Sequence, residues 1–430
     1  MEKNERLMSL DALRGADMFF IMGGSGLIMA LCALFGAKDG WLAEQMTHVA
    51  WHGFRHHDTI FPLFLFLAGV SWPFSYASQV AKGRTTAAIL LKMAFRVVAL
   101  VFFGLATADF FAFKVESFRY DSVLAHIAVC WAGAALLSMF VKSWKARLAI
   151  AGGLLVAHWA ALFFFTAPDA AALLASTDPV VAKKVASYAA YGTDNFSFTG
   201  NIAGWIDRTF MPGRLHEGIF DPDGLLAKVS GIPLALMGVL AGELLRSKTF
   251  SGNRKTLLLL AAGLGALALT FCWMPWCPVN KKIWTSTFVL ASAAYAFFAL
   301  ALFYWIIDVL GWRRWTIFFR VIGMNAITIY LLMRFVQFRA ISKFFFSGVA
   351  GLGEGAWTNV VLVAGQILVD LWLLLMMRFV QFRAISKFFF SGVAGLDKGA
   401  WPTVVFISGQ ILVEWLLLLF LYRKNTFLRV

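Results

Sequence analysis

The segment 47–69, THVAWHGFRHHDTIFPLFLFLAG, sets His48, His52, His56, His57 and Asp58 at the edge of a hydrocarbon run, and it holds four of the chain's seven histidines. Two kinds of chemistry suit that set. On a helix, His48, His52 and His56 stand four residues apart, share one face and would suit a zinc site. Gly53 interrupts the helical pattern, however, and His and Trp at this level also anchor a chain at lipid headgroups. General acid–base work needs only one imidazole, whose ordinary titration near neutrality lets small environmental shifts decide whether it holds a proton. Asp58 would accept a hydrogen bond from that ring and fix its tautomer. It also reads as the N-cap of a helix, because Asp58 and Thr59 precede Pro62. The acid–base reading is preferred, and no metal is expected.

A second polar group lies in 192–231, GTDNFSFTGNIAGWIDRTFMPGRLHEGIFDPDGLLAKVSG, which carries Asn201, Asp207, His216, Glu217, Asp221 and Asp223 ahead of an apolar stretch. It reads equally as a solvated loop with an Asp-Pro-Asp-Gly turn capping the next helix and as a binding surface, since loops longer than about 15 residues are usually functional. Asn325, in VIGMNAITIY, falls at membrane depth, where a polar side chain needs a partner and marks an interhelical contact or a pathway.

The elements that must hold these residues are membrane helices. A chain of 430 residues with 60% hydrophobic and only 14% charged residues is no ordinary soluble domain. Apolar runs of the length a bilayer demands, about 20 residues, occur near 17–36, 60–80, 94–113, 122–141, 148–167, 224–244, 256–274, 284–309, 317–337, 358–377 and 402–421. The expected fold is an all-α polytopic transmembrane helical bundle of about 10–11 spans, with its core in 1–332. A net charge of +15 would suggest nucleic acid in a soluble chain. Here Lys82, Arg84, Lys92, Lys142, Lys145, Arg147, Arg246, Lys248, Arg254, Lys255, Arg313 and Arg314 follow every second span, as the positive-inside rule requires. The N-terminus, with Lys3, Arg6 and Arg14, is therefore expected in the cytoplasm. The histidine segment 37–59 and a long loop at about 168–223 are expected outside. The first span lacks a cleavage signature and reads as a retained helix. Cys32, Cys130, Cys272 and Cys277 have no metal-type spacing and read as free thiols, with a disulfide between the last two the lesser alternative.

The end of the chain, 333–430, contains a tandem duplication. MRFVQFRAISKFFFSGVAGL at 333–352 returns letter for letter at 377–396, and GAW and GQILV return at the same offset, so units 333–376 and 377–420 are copies. Each carries about one span, and an extra span would reverse the side on which the chain ends. The terminal Arg423, Lys424 and Arg429 prefer the inner side, so one copy of FRAISKFFFSG is expected to lie along the interface.

The stretches RLMSLDALRG (6–15), HVAWHGFRHHDTIFPLFLFLAGVS (48–71), NIAGWIDRTFMPGRLHEGIFDPDGLL (201–226), PVNKKIWTSTFVL (278–290) and VIGMNAITIY (321–330) together resemble the heparan-α-glucosaminide N-acetyltransferase family and its bacterial relatives. The most specific part is a pattern met by His48, Trp51, Gly53, Asp58, Phe61 and Pro62. The resemblance implies a multi-pass membrane acetyltransferase of the bacterial inner membrane. It would take acetyl-CoA from the cytosol and acetylate the amine of a glucosamine-type sugar outside, as a monomer or a homodimer. It implies His48 as base or acyl carrier with Asp58 orienting it. Trp51, Asn201, Asp207, His216, Asp221 and Asn325 are expected toward the acceptor, and Asp11 and Arg14 toward the donor. The chain departs from the family pattern at GGSG in the first span, where an acidic or amide residue is usual, and at SVLAHIAV, where Ala125 and His126 stand in place of an arginine. A transporter or an O-acyltransferase of a surface glycan is the competing class, and inverted repeats between the two halves would mark the transporter.

Overall fold

A computed structural model describes residues 7–107, 118–335 and 360–368. The chain divides into two units, Met1–Gln366 and Ile367–Val430, and the described residues fall almost wholly in the first. Most of the expected first copy, 333–376, and all of the second, 377–420, with the span at 402–421, lie outside the described residues.

Among the described residues, eight helices are long and apolar enough to cross a membrane: α1 (Met8–Leu34), α2 (His56–Ala81), α3 (Thr86–Ala106), α4 (Val123–Phe140), α5 (Trp144–Phe164), α6 (Leu225–Arg246), α7 (Gly252–Trp273) and α8 (Ser286–Val309). The fold is an all-α polytopic bundle. Five of the eight start on a side chain that takes a free backbone N–H of the first turn: Thr85, Ser122, Ser143, Ser251 and Thr285. These caps set boundaries that hydropathy alone leaves loose. The expected ninth span, 317–337, is two short helices, α9 (Ile317–Met324) and α10 (Ala326–Phe335). They part at Asn325, whose φ of −119° leaves the helical range. Inside α1 a π turn at Phe20–Gly24 contains Gly23 at φ 136°, a conformation that favours glycine, so the span is two helical halves.

Helices α2, α6 and α8 are the most buried and form the centre, while α3, α5 and α7 are the least buried and lie at the periphery. The crossing of α2 on α6 depends on absent side chains. A Cβ on Gly69 would meet Ala235 O at 2.1 Å, one on Gly238 would meet Phe66 O at 2.2 Å, and one on Gly242 would meet Val70 O at 2.3 Å. Small residues at such spacing let membrane helices approach backbone to backbone. Gly238→Leu is therefore expected to lower the thermal midpoint of the purified protein in lipid nanodiscs by several degrees, through overpacking of about 1–3 kcal/mol or more. Gly153→Leu, on α5 with no neighbour within 4 Å, is the control. Equal midpoints for both variants would overturn the packing argument.

Because successive spans run in opposite directions, the described parts of the long connections, 35–55, 118–122, 165–224 and 274–285, gather at one end of the bundle. Among the described residues, the other end has the short connections 82–85, 141–143, 247–251 and 310–316, with the basic residues around them.

Candidate active site

The site is built where two of the long connections meet the start of α2. Residues 46–55 are not helical, and Arg55 is extended at φ −127° before α2 begins at His56. The helical histidine stripe is therefore not formed. Gly53, at φ 129°, turns the chain so that its N–H donates to Val279 O at 2.8 Å, tying this segment to the 274–285 connection. Asp58 is the third helical residue, not the N-cap that the sequence suggests. Its carboxylate reaches back to accept the N–H groups of Arg55 at 3.2 Å and Val49 at 3.4 Å. That fixes a nearly inaccessible carboxylate, 1% exposed, against His48, whose side chain is 53% exposed. The His48 Nδ1–Asp58 Oδ1 distance is 2.7 Å. This contact fixes the orientation of the imidazole.

A third group completes the cluster. Lys281 Nζ lies 3.0 Å from His48 Nδ1, 3.4 Å from its Nε2 and 3.4 Å from Asp58 Oδ1. Its loop is rigid: Asn280 Oδ1 accepts the N–H groups of Lys282 and Ile283 at 2.8 and 3.3 Å, and Trp284 is held at φ 48°. A bulky residue with positive φ is strained and persists only where packing imposes it. Here the indole is 1% exposed, with its ring 4.4 Å from His126 and 5.1 Å from Phe61. Burial holds the Lys281 ammonium below the usual lysine range, opposed by the charges of Asp58 and Asp223.

The remaining histidines turn to separate partners. His57 Nδ1 is 3.1 Å from Ser25 Oγ, within the departing GGSG stretch, and its ring lies 4.5 Å from that of His48. His56 Nδ1 is 3.1 Å from the Tyr295 hydroxyl. His52 Nδ1 is 3.4 Å from Asn280 Nδ2, and burial lowers its pKa against the charge of Asp194. His126 is fully buried, with Nδ1 3.9 Å from Asp223 Oδ1.

The structure brings His48 and Asp58 together and places the other expected site residues elsewhere in the fold. Trp51 is buried among Tyr188, Phe198 and Phe220, and its indole N–H donates to Phe196 O at 2.9 Å, which clamps the long loop to the histidine segment. Asn201 is fully buried as the N-cap of Ile202–Phe210, accepting Gly204 N–H at 2.7 Å and donating to Ser197 O and Phe198 O. Asp207 accepts the N–H groups of Asp221 and Leu225, and burial pushes its carboxyl up to about 6.

Asp221 receives two bonds from Arg119, at 2.7 and 2.5 Å. Burial alone would raise its pKa, but the guanidinium holds the carboxyl below the usual range. Asp223 also accepts from Arg119, at 2.7 Å, yet burial carries it up to about 7. Asp121 pairs with Lys228 beside them. His216 is exposed, its backbone N–H donating to Asp221 at 3.1 Å. Nearer the site, Lys282 donates to Glu217 Oε1 at 2.7 Å, and Lys184 to Glu217 Oε2 at 2.6 Å. Asp11 and Arg14 pair at 3.3 Å near the start of α1, where Arg14 also reaches Ser71 Oγ at 3.0 Å. Asn325 donates to Val321 O at 2.8 Å within its own turn.

A half-exposed imidazole backed by a buried carboxylate, at the loop-rich end of a multi-pass helical bundle, defines a membrane protein with a candidate acid–base centre. Over 372 residues the chain is 26% identical to the heparan-alpha-glucosaminide N-acetyltransferase of Mus musculus, covering 76% of this chain and 54% of the relative. Over 376 residues it is 26% identical to the Homo sapiens protein of that name, covering 76% and 52%. The chain is thus similar to these acetyltransferases and spans about half their length, and the matches support its place among their distant relatives. No family model matches it.

Proposed function

We propose that the chain is a membrane acetyltransferase that moves an acetyl group from acetyl-CoA to the amine of a glucosamine-type sugar, with His48 at the acceptor. The observation that carries this reading is the 2.7 Å contact between the half-exposed His48 and the buried Asp58 carboxylate, which orients the imidazole. A protonated amine cannot attack a thioester. His48 removes that proton, the amine nitrogen bonds to the acetyl carbon, the C–S bond breaks, and the thiolate leaves and takes up a proton. Alternatively Nε2 itself accepts the acetyl group and then yields it to the amine.

The basic, short-loop end suits the phosphates of the donor and is the cytosolic end by the positive-inside rule, which places the N-terminus inside and His48 outside. Arg14 and Asp11 stand at that end of α1. The similarity to acetyltransferases supports the same chemistry. The test is the full chain in lipid vesicles with labelled acetyl-CoA and glucosamine. Labelled N-acetylglucosamine is expected; label found on a hydroxyl of an amine-blocked acceptor would make the protein an O-acyltransferase instead, and no transfer to either would remove the reading.

A further inference from the structure

Between α7 and α8, at the loop-rich end, the bundle leaves a groove of about 590 Å³, within the usual range of about 300–1,000 Å³ for a small-ligand pocket. Leu267, Phe271 and Met274 form its α7 wall, and Ala291, Ala294 and Phe298 its α8 wall. From Met274 to Leu267 it descends about 10 Å along α7. Phe271 and Met274 are 61% and 44% exposed, so the groove opens toward lipid. Trp276, exposed just past the top of α7, stands where aromatic side chains mark the headgroup level.

The polar side chains that line the groove are already engaged. Thr270 donates its hydroxyl to Ala266 O at 2.9 Å, the Tyr295 hydroxyl stands 3.1 Å from His56 Nδ1, and His52 Nδ1 is 3.4 Å from Asn280 Nδ2. Such a surface suits hydrocarbon, because a sugar ring buried there would lose its bonds to water. The upper end of the groove is built from the two segments that also build the site. His52, Gly53 and Phe54 meet Pro278 and Val279 there, joined by the Gly53 N–H bond to Val279 O. Two residues beyond Val279, Lys281 touches His48, which itself precedes His52 by four residues. A molecule whose chain lies in the groove carries its head group toward the imidazole.

Resting on the acetyltransferase reading, we infer that the acceptor is a lipid-linked amino sugar, whose hydrocarbon chain lies in the α7–α8 groove while its amine reaches His48. The groove acts by placement. Lipid tails are as apolar as its walls, so entry gains little hydrophobic free energy. A chain held there keeps the sugar beside the site, which turns a meeting from solution into one at high effective concentration. The experiment compares dodecyl glucosaminide with free glucosamine as acceptors for the full chain in vesicles. Ala291→Leu and Leu267→Trp fill the groove from opposite walls, and Leu257→Trp, exposed on α7 away from the groove, is the control. KM for dodecyl glucosaminide is expected to rise roughly tenfold in the filling variants, about 1.4 kcal/mol, as for a chain that must enter an overpacked site. Both constants for glucosamine, and the control, stay at wild-type values. A filling variant that acetylates glucosamine normally and keeps the wild-type KM for dodecyl glucosaminide, or one in which KM rises equally for both acceptors, would overturn the inference.

A second readout uses the wild-type chain and needs no turnover, so it separates this failure from failure of the acetyltransferase reading. Dodecyl glucosaminide with a diazirine at the end of its chain is irradiated in the same vesicles, and the labelled peptides are identified by mass. Label is expected on the groove-lining peptides of α7 and α8, reduced by excess unlabelled dodecyl glucosaminide. Label spread over the peripheral helices α3 and α5 as well disproves the seat. A diazirine phosphatidylcholine that labels the groove equally, undisturbed by dodecyl glucosaminide, shows that it holds ordinary bilayer lipid only and also disproves it. Groove labelling without transfer to any amine would keep the lipid seat and remove the acetyltransferase reading.

Discussion

Replacing His48 by alanine is expected to lower kcat by roughly 10²–10⁴-fold, the usual contribution of a general base, while the protein stays folded and still binds CoA. The side chain is half exposed, so its loss removes chemistry and little packing. The donor's phosphates are proposed to sit at the opposite end of the bundle. His56→Ala and His57→Ala are expected to cost much less, because those rings contact Tyr295 and Ser25 rather than Asp58. His52→Asn should be tolerated, since an amide can still meet Asn280. The measurement is acetyl transfer in vesicles alongside CoA binding. Equal loss in all four variants, restored by added zinc, would establish a metal site in place of the acid–base reading.

The largest effect on stability is expected from Arg119→Met. Arg119 holds Asp221 and Asp223 at 2.5–2.7 Å, and both carboxylates are buried. Taking away one partner of a buried pair leaves charge without compensation and costs about 3–5 kcal/mol. The loss should depend on pH in a stated direction. The Asp223 carboxyl is already raised to about 7 by burial, so it binds a proton more tightly folded than unfolded; its favourable contribution is present in acid and disappears as pH rises through 7. Without the guanidinium this behaviour strengthens, and the variant should fall further below wild type at pH 8.5 than at pH 6. Thermal unfolding in nanodiscs checks it, and a midpoint equal to that of wild type at both pH values would refute the account.

The spans were legible because hydrocarbon thickness acts directly on sequence: eight apolar runs marked by hydropathy coincide with helices, and their basic connections fall at one end. Asn325 shows the limit, since 317–337 has the hydropathy of one span and breaks into two helices where a polar amide takes its own turn's carbonyl. Within the site, Asp58 was visible at a helix start beside four histidines, and the family resemblance alone singled out His48 among them. Lys281 was not, because in PVNKKIW it is one of two adjacent lysines. Only the fold sends Lys281 to Asp58 and Lys282 to Glu217. The loop residues Asn201 and Asp207 were singled out for polarity alone. Burial is what turns them to capping and bracing backbone N–H groups inside the loop.

The two halves of the cluster are made far apart in time. Asp58 is secured by the backbone of its own helix start, so the His48–Asp58 pair can form as soon as α2 enters the bilayer. Lys281 lies 233 residues beyond His48 and reaches the ribosome's exit only after five further spans have been synthesised. A nascent chain stopped before α8 would therefore carry a histidine already engaged to its carboxylate but without the lysine. The three-residue cluster is complete only when the α7–α8 hairpin docks.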